Sequence, residues 1–402
     1  KKIFDKWDLD FVVIGKTIEK KNLILNYQKK KVADIPIEAL SSKAPQYERK
    51  WVKTKLPLKK IKFKNLKKIN FEESFLNIIS SSNQSSKNWV TEQFDQMVMC
   101  DTVQKSGSDA AIIRIHKKNK AIAVTVDSSA NYCKSHPVTG GKQIVCESWR
   151  NLISMGAKPI AITNCLNFGN PENPEIMGQF AETINGIKEA CEYLNYPVVS
   201  GNVSFYNGTN KKNIFPTPVI GGVGVVQKPE ANINHLFKDE GNPVLIIGKT
   251  FGHLYQSTFS NEILSIYEGP PPEINLLNEK NNGEFVLDLI KKNLALSVHD
   301  ISNGGAIVAL AEMCIGANFG IKIEKPKKLN NLFEYFFGED QGRYLVEIDK
   351  KDLINVKKLF ENKNIFHELI GVTQRKNFEL AGEFSIDIKE LFKTNNKWYY
   401  NY

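Results

Sequence analysis

Arginine is nearly missing from this 402-residue chain, with five arginines standing against 49 lysines. Arginine is the residue that forks onto phosphates and base edges. Its scarcity weighs against sequence-reading of nucleic acid, although the formal charge is +10. No apolar run approaches the ~18 residues of a membrane-spanning helix, so no membrane span is expected. None of the six cysteines forms C-x-x-C, and Cys133 with His136 has no second pair to complete a zinc site. The thiols read as reduced and mostly buried, and the compartment as cytoplasmic. There is no initial Met and no apolar leader at Lys1–Asp5. The chain reads as a piece of a longer one without a signal peptide.

Familiar phosphate and nucleophile motifs are also missing. Ile14-Gly-Lys-Thr17 and Ile247-Gly-Lys-Thr250 each follow a strand-like run, but Asp10 and Pro243 stand where a P-loop needs its first glycine. Gly221-Gly-Val-Gly224 lacks dinucleotide spacing and reads as a close-packed strand. No Ser/His/Asp or Cys/His arrangement stands out.

What is present is ordinary globular material, 42% apolar and 24% charged with 26 Gly and 16 Pro. That is enough for two or three domains. The segment 49–70 carries ten basic residues and no acid, which accounts for the whole net charge. It reads as a solvated linker, the polyanion-binding patch being the alternative. Short apolar runs predict strands at 11–15, 23–26, 110–116, 121–126, 159–163, 197–200, 219–226, 244–247, 295–298, 344–348 and 368–372. Helical spacing predicts helices at 35–40, 145–155, 175–194, 284–292, 301–314 and 353–360. This is mixed α and β in two blocks, roughly 89–228 and 240–392. Leu9–Thr17 is echoed by Phe366–Thr373, each a strand with Ile-Gly-x-Thr or Ile-Gly-Val-Thr. The two are followed by Asp34–Leu40 and Ile386–Leu391.

Two polar segments follow predicted strands: Thr163–Pro171 and Ser200–Asn207. Both read as loops. Small polar side chains at strand ends suit a ligand, since Gly admits close backbone approach and Asn or Ser offers neutral oxygens to Mg²⁺ or hydrogen bonds to phosphate. The same residue types also simply make turns.

Gly107-Ser-Asp-Ala-Ala111, Asn164-Cys-Leu-Asn-Phe-Gly-Asn-Pro171, Ser200-Gly-Asn-Val-Ser-Phe-Tyr-Asn207 and His299-Asp-Ile-Ser-Asn-Gly-Gly305 carry a resemblance. Together they resemble the second half of formylglycinamide ribonucleotide amidotransferase. That family is the synthetase subunit of phosphoribosylformylglycinamidine synthase in its small multi-subunit form. The resemblance implies an α+β fold: an aminoimidazole ribonucleotide synthetase-like N-domain, with a barrel-forming sheet and helices, followed by an α/β C-domain. It implies that 1–48 end a preceding C-domain and that 49–88 form a basic and polar linker. Residues 89–228 would be the second N-domain, 229–394 the second C-domain and 395–402 a tail.

The resemblance further implies an ATP-dependent ligase of purine biosynthesis. Formylglycinamide ribonucleotide, ATP and glutamine-derived ammonia would give formylglycinamidine ribonucleotide, ADP and phosphate. The implied partners are the synthetase's first half, a glutaminase subunit and a small bridging subunit, with no nucleic acid and no membrane. Asn164 and Gly201 fall where the family contacts ATP, Asn202 at a Mg²⁺ ligand and Ser204 at a substrate contact. Asn164 and Asn303 depart from the Asp that relatives often carry. Gly338-Glu-Asp-Gln-Gly-Arg343 resembles a segment whose first-half copy touches substrate, and here it reads as structural or as lining a non-catalytic site. The family's catalytic His residues and main acidic Mg²⁺ ligands lie in the first half, so no catalytic residue is assigned, and His299 reads as structural. Other readings are a different ATP-using synthetase or kinase of the superfamily, a scaffold half, or a basic nucleic-acid-binding protein.

Overall fold

A computed structural model of the chain describes residues 1–57, 63, 66–210, 212–229, 233–326 and 331–400. Lys59, Lys60, Lys62 and Lys64 of the basic run lie outside the described residues. The chain divides into Lys1–Arg49 and Lys50–Tyr402.

The first unit holds an antiparallel hairpin, β1 (Asn22–Tyr27) with β2 (Lys30–Pro36), and a short helix α1 (Ile37–Leu40). Asp34 ties the hairpin by accepting from Lys31, Asn22 and Lys20, and these bonds hold its carboxyl well below the usual range. No residue of the unit is buried. The expected strand at 11–15 does not form. Its side chains point into solvent, Ile14 being 96% exposed, and the run has no pairing partner among the described residues. An apolar run becomes a strand only where another strand takes up its backbone groups.

Among the described residues the second unit contains two large sheets and a two-stranded ribbon of Gly208–Thr209 with Lys212–Asn213. The first is built of β3 (Thr102–Gln104), β4 (Ala111–Arg114), β5 (Ala121–Asp127), β6 (Lys158–Asn167), β7 (Val198–Ser204) and β8 (Thr217–Val226), in the order β3-β4-β5-β8-β6-β7. Only β6 and β7 pair in parallel. They are joined by a crossover helix, as parallel neighbours must be. One face of the sheet packs on helices α2 (Pro137–Ser154) and α3 (Pro174–Leu194). Each helix starts with Pro at its first position. His136 and Asn173 cap the free N–H groups, and Asn195, in the left-handed conformation, ends α3.

The C-terminal sheet has seven strands: β9 (Pro243–Ile247), β10 (Ser297–Asp300), β11 (Phe319–Ile323), β12 (Tyr344–Glu347), β13 (His367–Arg375), β14 (Asn377–Leu380) and β15 (Phe384–Asp387). Their order is β10-β12-β9-β13-β11-β14-β15. One face packs on a helix at Leu276–Lys291 and shares a core with the first sheet's helices through Trp149, Phe285 and Tyr344. The other face packs on a helix at Gly305–Cys314, which starts four residues later than the spacing predicts because Gly304 and Gly305 both take positive φ. The hairpin β14–β15 leads into a helix at Ile388–Tyr400. The first unit likewise has a hairpin followed by a helix, but Leu9–Thr17 forms no strand whereas its echo Phe366–Thr373 lies almost wholly in β13, so the sequence echo is matched only in its second part.

Two segments differ from the sequence reading. Within 49–88, read as linker, Phe71–Ile79 forms a helix capped by Asn70. Phe71, Phe75, Ile78 and Ile79 recur on one face and enter the core, with Phe75 stacked on Phe378 at 5.2 Å. Residues 395–400, read as tail, belong to the last helix. Asn395 is buried and donates to the carbonyls of Ile79 and Gln84. Surrounding polarity masks both apolar stripes in sequence.

Candidate functional site

The four residues expected to bind ligand lie together at one edge of the first sheet. They are on strands and not on loops. Backbone pairing of β7 with β6 continues through Ser204, placing Asn164 opposite Gly201, Cys165 opposite Asn202 and Asn167 opposite Ser204. Leu166 and Phe168 are buried, so the polar segment alternates with core residues as a strand does.

Pairing divides the four between the faces. Asn164 also stands opposite buried Ile220 of β8 and so faces the helical layer. Gly201 shares that face. A Cβ on Gly201 would stand 2.1 Å from Asn164 Oδ1, so only glycine leaves room for the amide. Asn164 rims a cavity of about 550 Å³ lined chiefly by apolar groups of Leu166, Ile187, Tyr196, Pro197 and Val203. Asn202 and Ser204 face the opposite side. Asn202 Nδ2 donates to Ser204 Oγ at 3.2 Å and lies 3.9 Å from Cys165 Sγ. That outer face continues as an apolar surface across Ile122, Val124 and Val126 of β5, the last 68% exposed.

Beyond the strand ends, Phe168 N donates to Ser204 O at 2.9 Å. Asn207 Nδ2 donates to both Phe168 O (3.0 Å) and Ser204 O (2.9 Å). Sequence reading missed Cys165, Asn167 and Asn207 as members of this cluster. Their presence in the quoted motif was the only signal, since register decides which polar residues share a face.

A second polar cavity, about 670 Å³, opens where the N-domain sheet meets the C-domain. It brings together the Gly107–Ala111 and His299–Gly305 motifs. His299 Nδ1 lies 2.6 Å from Asp109 Oδ1, and its Nε2 lies 3.0 Å from Glu312. Burial opposes charge on His299, but Asp109 and Glu312 outweigh it and raise its pKa well above the imidazole range. His235 is pushed down to about 3 by burial and by His299, and bonds Ser108 Oγ at 2.9 Å. Asp300 is pushed up to about 7 by burial, with Arg150 pulling the other way. Arg150 is fully buried, its Nη1 donating to both carboxylate oxygens of Glu279 and its Nη2 to Gln341 of the Gly338–Arg343 segment. Among the described residues, Asp109, His299 and Asp300 are the one cluster of such groups close enough to share a metal ion. Asn303 lines the same cavity.

Cys133 is buried, its thiol raised by burial, and His136 Nδ1 caps a helix by accepting from Thr139 N. All six cysteines are free thiols. Among the described residues no helix is long and apolar enough to cross a membrane.

Residues 107–226 match the family of AIR synthase related protein, N-terminal domain, and residues 239–381 the corresponding C-terminal domain. The chain belongs to the AIR synthase related proteins, an α+β class of tandem N- and C-domains. Within that class it is similar to phosphoribosylformylglycinamidine synthase subunit PurL of Pelagibacter ubique (strain HTCC1062). The two are 51% identical over 403 residues, covering all of this chain and 55% of that protein. PurL of Rhodopseudomonas palustris (strain BisB5) is 41% identical over 401 residues, with 54% of its length covered. The chain thus spans about half the length of these curated relatives. Among solved structures, PurLQS from Thermotoga maritima shares the fold with a TM-score of 0.57 at 24% identity, over 89% of this chain and 50% of that one. The T. maritima PurL complex with AMPPCP gives the same TM-score and identity over the same shares.

Proposed function

We propose that this chain forms one wall of the active site of phosphoribosylformylglycinamidine synthase. The observation that carries the reading is the convergence of Asn164, Gly201, Asn202 and Ser204 on the paired ends of β6 and β7. In this reading ATP contacts Asn164 and Gly201, and formylglycinamide ribonucleotide contacts Ser204. Relatives of this fold have been solved with ATP, AMPPCP and ADP.

The family implies Mg²⁺ at Asn202. The residues fit a supplementary role: Asn202 uses its Nδ2 on Ser204, which leaves Oδ1 as one neutral hard oxygen. Mg²⁺ is commonly held by few protein oxygens plus phosphates and water. When bound, the ion neutralises charge on the triphosphate. The chain's own residues position and orient. Phosphoryl transfer to the amide oxygen and attack by ammonia on the iminophosphate need no protein nucleophile. ADP and phosphate leave as the amidine forms.

The exposed apolar face of the first sheet would meet the N-domain sheet of the synthetase's first half. Residues 1–48 would be the end of the preceding C-domain. Glutaminase and bridging subunits complete the assembly, in the cytoplasm. The test mixes the full chain with the missing N-terminal half, ATP, Mg²⁺ and ammonium. ADP release that depends on formylglycinamide ribonucleotide, absent from either half alone, is the expected result. ADP release indifferent to that substrate overturns the reading.

A further inference from the structure

We propose that Asn207 is a positioning residue that sets the placement of Ser204 against the substrate. The inference rests on the functional reading above and extends it to a residue that does not itself face the ligand. Ser204 is the last residue of an edge strand, exposed along nearly its whole length, so its position is not fixed by packing on that side. Two donors hold its carbonyl: Phe168 N at 2.9 Å and Asn207 Nδ2 at 2.9 Å. The same Nδ2 donates to Phe168 O at 3.0 Å, and Asn207 N donates to that oxygen at 3.2 Å. One carboxamide therefore clamps the ends of the two strands that carry the candidate site. Both of its neighbours are carbonyl oxygens, so the amide must present its NH₂ group there.

The chain reaches this arrangement at a conformational cost. Tyr206 takes φ +61°, the left-handed region that a bulky residue rarely adopts. That turn brings Asn207 back over the strand ends, and Tyr206 N bonds Gly169 O at 3.0 Å. Backbone strain of this kind persists where surrounding contacts over-determine it, often beside binding sites. Asn207 O in turn accepts from Ile214 N at 3.2 Å, tying the clamp to the following segment.

Asn207→Asp is nearly isosteric but sets a carboxylate oxygen against the two carbonyls, so the clamp opens. In the reconstituted two-half enzyme, KM for formylglycinamide ribonucleotide is expected to rise at least about tenfold, with KM for ATP within about twofold, a tenfold change being ~1.4 kcal/mol. Asn207→Ala removes the donor without adding charge and should show the same asymmetry, which keeps the test open if the acid variant does not fold. Equal rises in both KM values, or a lowered melting temperature with both KM values unchanged, overturn the proposal. Wild-type halves that release no substrate-dependent ADP would sink the functional reading itself, and this inference with it.

Discussion

Asn164 and Gly201 stand side by side on parallel strands, and the amide oxygen of the first occupies the space that a Cβ on the second would need, 2.1 Å away. The pair is a matched fit on the face that borders the apolar cavity. Gly201→Ala should turn the Asn164 amide out of place. Nucleotide affinity of the reconstituted enzyme is expected to fall about tenfold, equivalent to ~1.4 kcal/mol. Isothermal titration with a non-hydrolysable ATP analogue measures it, and unchanged affinity would show that this face does not meet the nucleotide.

His299 joins the C-domain to Asp109 of the N-domain and also pairs with Glu312 of its own domain, and its pH dependence has a definite sign. Its folded pKa lies well above the unfolded value near ~6.5. Such a group contributes its full stabilisation below the unfolded pKa and loses it as pH rises through the folded one. Asp300, raised to about 7, has the same sign at lower pH, between its unfolded ~3.9 and that value. Urea midpoints measured upward from pH 6.5 should fall more steeply for the wild type than for His299→Gln. Parallel curves would show that the ion pairs carry no net stability.

Arg150, fully buried, joins α2 to the C-domain through Glu279, Asp300 and Gln341. Removing the guanidinium leaves Glu279 buried without the cation that both of its oxygens contact, and Asp300 with His299 alone. Arg150→Met should destabilise by about 3–5 kcal/mol, the usual cost of breaking a buried pair from one side. Arg150→Lys should recover little, because a single ammonium cannot reach Glu279, Gln341 and Asp300 together, as Nη1, Nη2 and Nε do. Chemical denaturation at pH 7 checks both.

The strand and helix cores were legible in the sequence because apolar periodicity reports burial directly, as at Ala121–Asp127 and Pro174–Leu194. The candidate site residues come together at one sheet edge, but their geometry was not legible. Asn164, Gly201, Asn202 and Ser204 were identified together, yet read as loop residues, because Asn, Gly and Ser signal turns unless a neighbouring strand claims their backbone. That they divide between the two faces depends on pairing register, which no single segment encodes. The helix at Phe71–Ile79 was hidden for a different reason: its four core residues lie between a basic run and a serine-rich loop, and composition averaged over 49–88 outweighed the local stripe.

That helix offers a direct contrast between linker and core. Phe75 is fully buried and rings with Phe378 and Phe384 at 5.2 and 5.5 Å. Phe75→Ala should cost about 3–5 kcal/mol, whereas truncating an aromatic in a solvated linker costs close to nothing. Thermal unfolding of the variant decides between them.

The outer face of the first sheet supplies the remaining prediction. Ile122, Val124 and Val126 lie on one side of β5, away from the helices, and Val126 is 68% exposed. A β-branched stripe on a sheet face is favourable only when something covers it. In the proposed assembly the cover is the sheet of the first half. Val126→Lys should leave the melting temperature of this chain nearly unchanged, since the side chain already stands in solvent. It should abolish recovery of activity on mixing the halves, because an unpaired ammonium would be buried at the joint. Size-exclusion chromatography of the mixture separates this from a direct effect on catalysis: loss of the complex supports the sheet-to-sheet contact, while an intact complex with unaltered activity places the contact elsewhere.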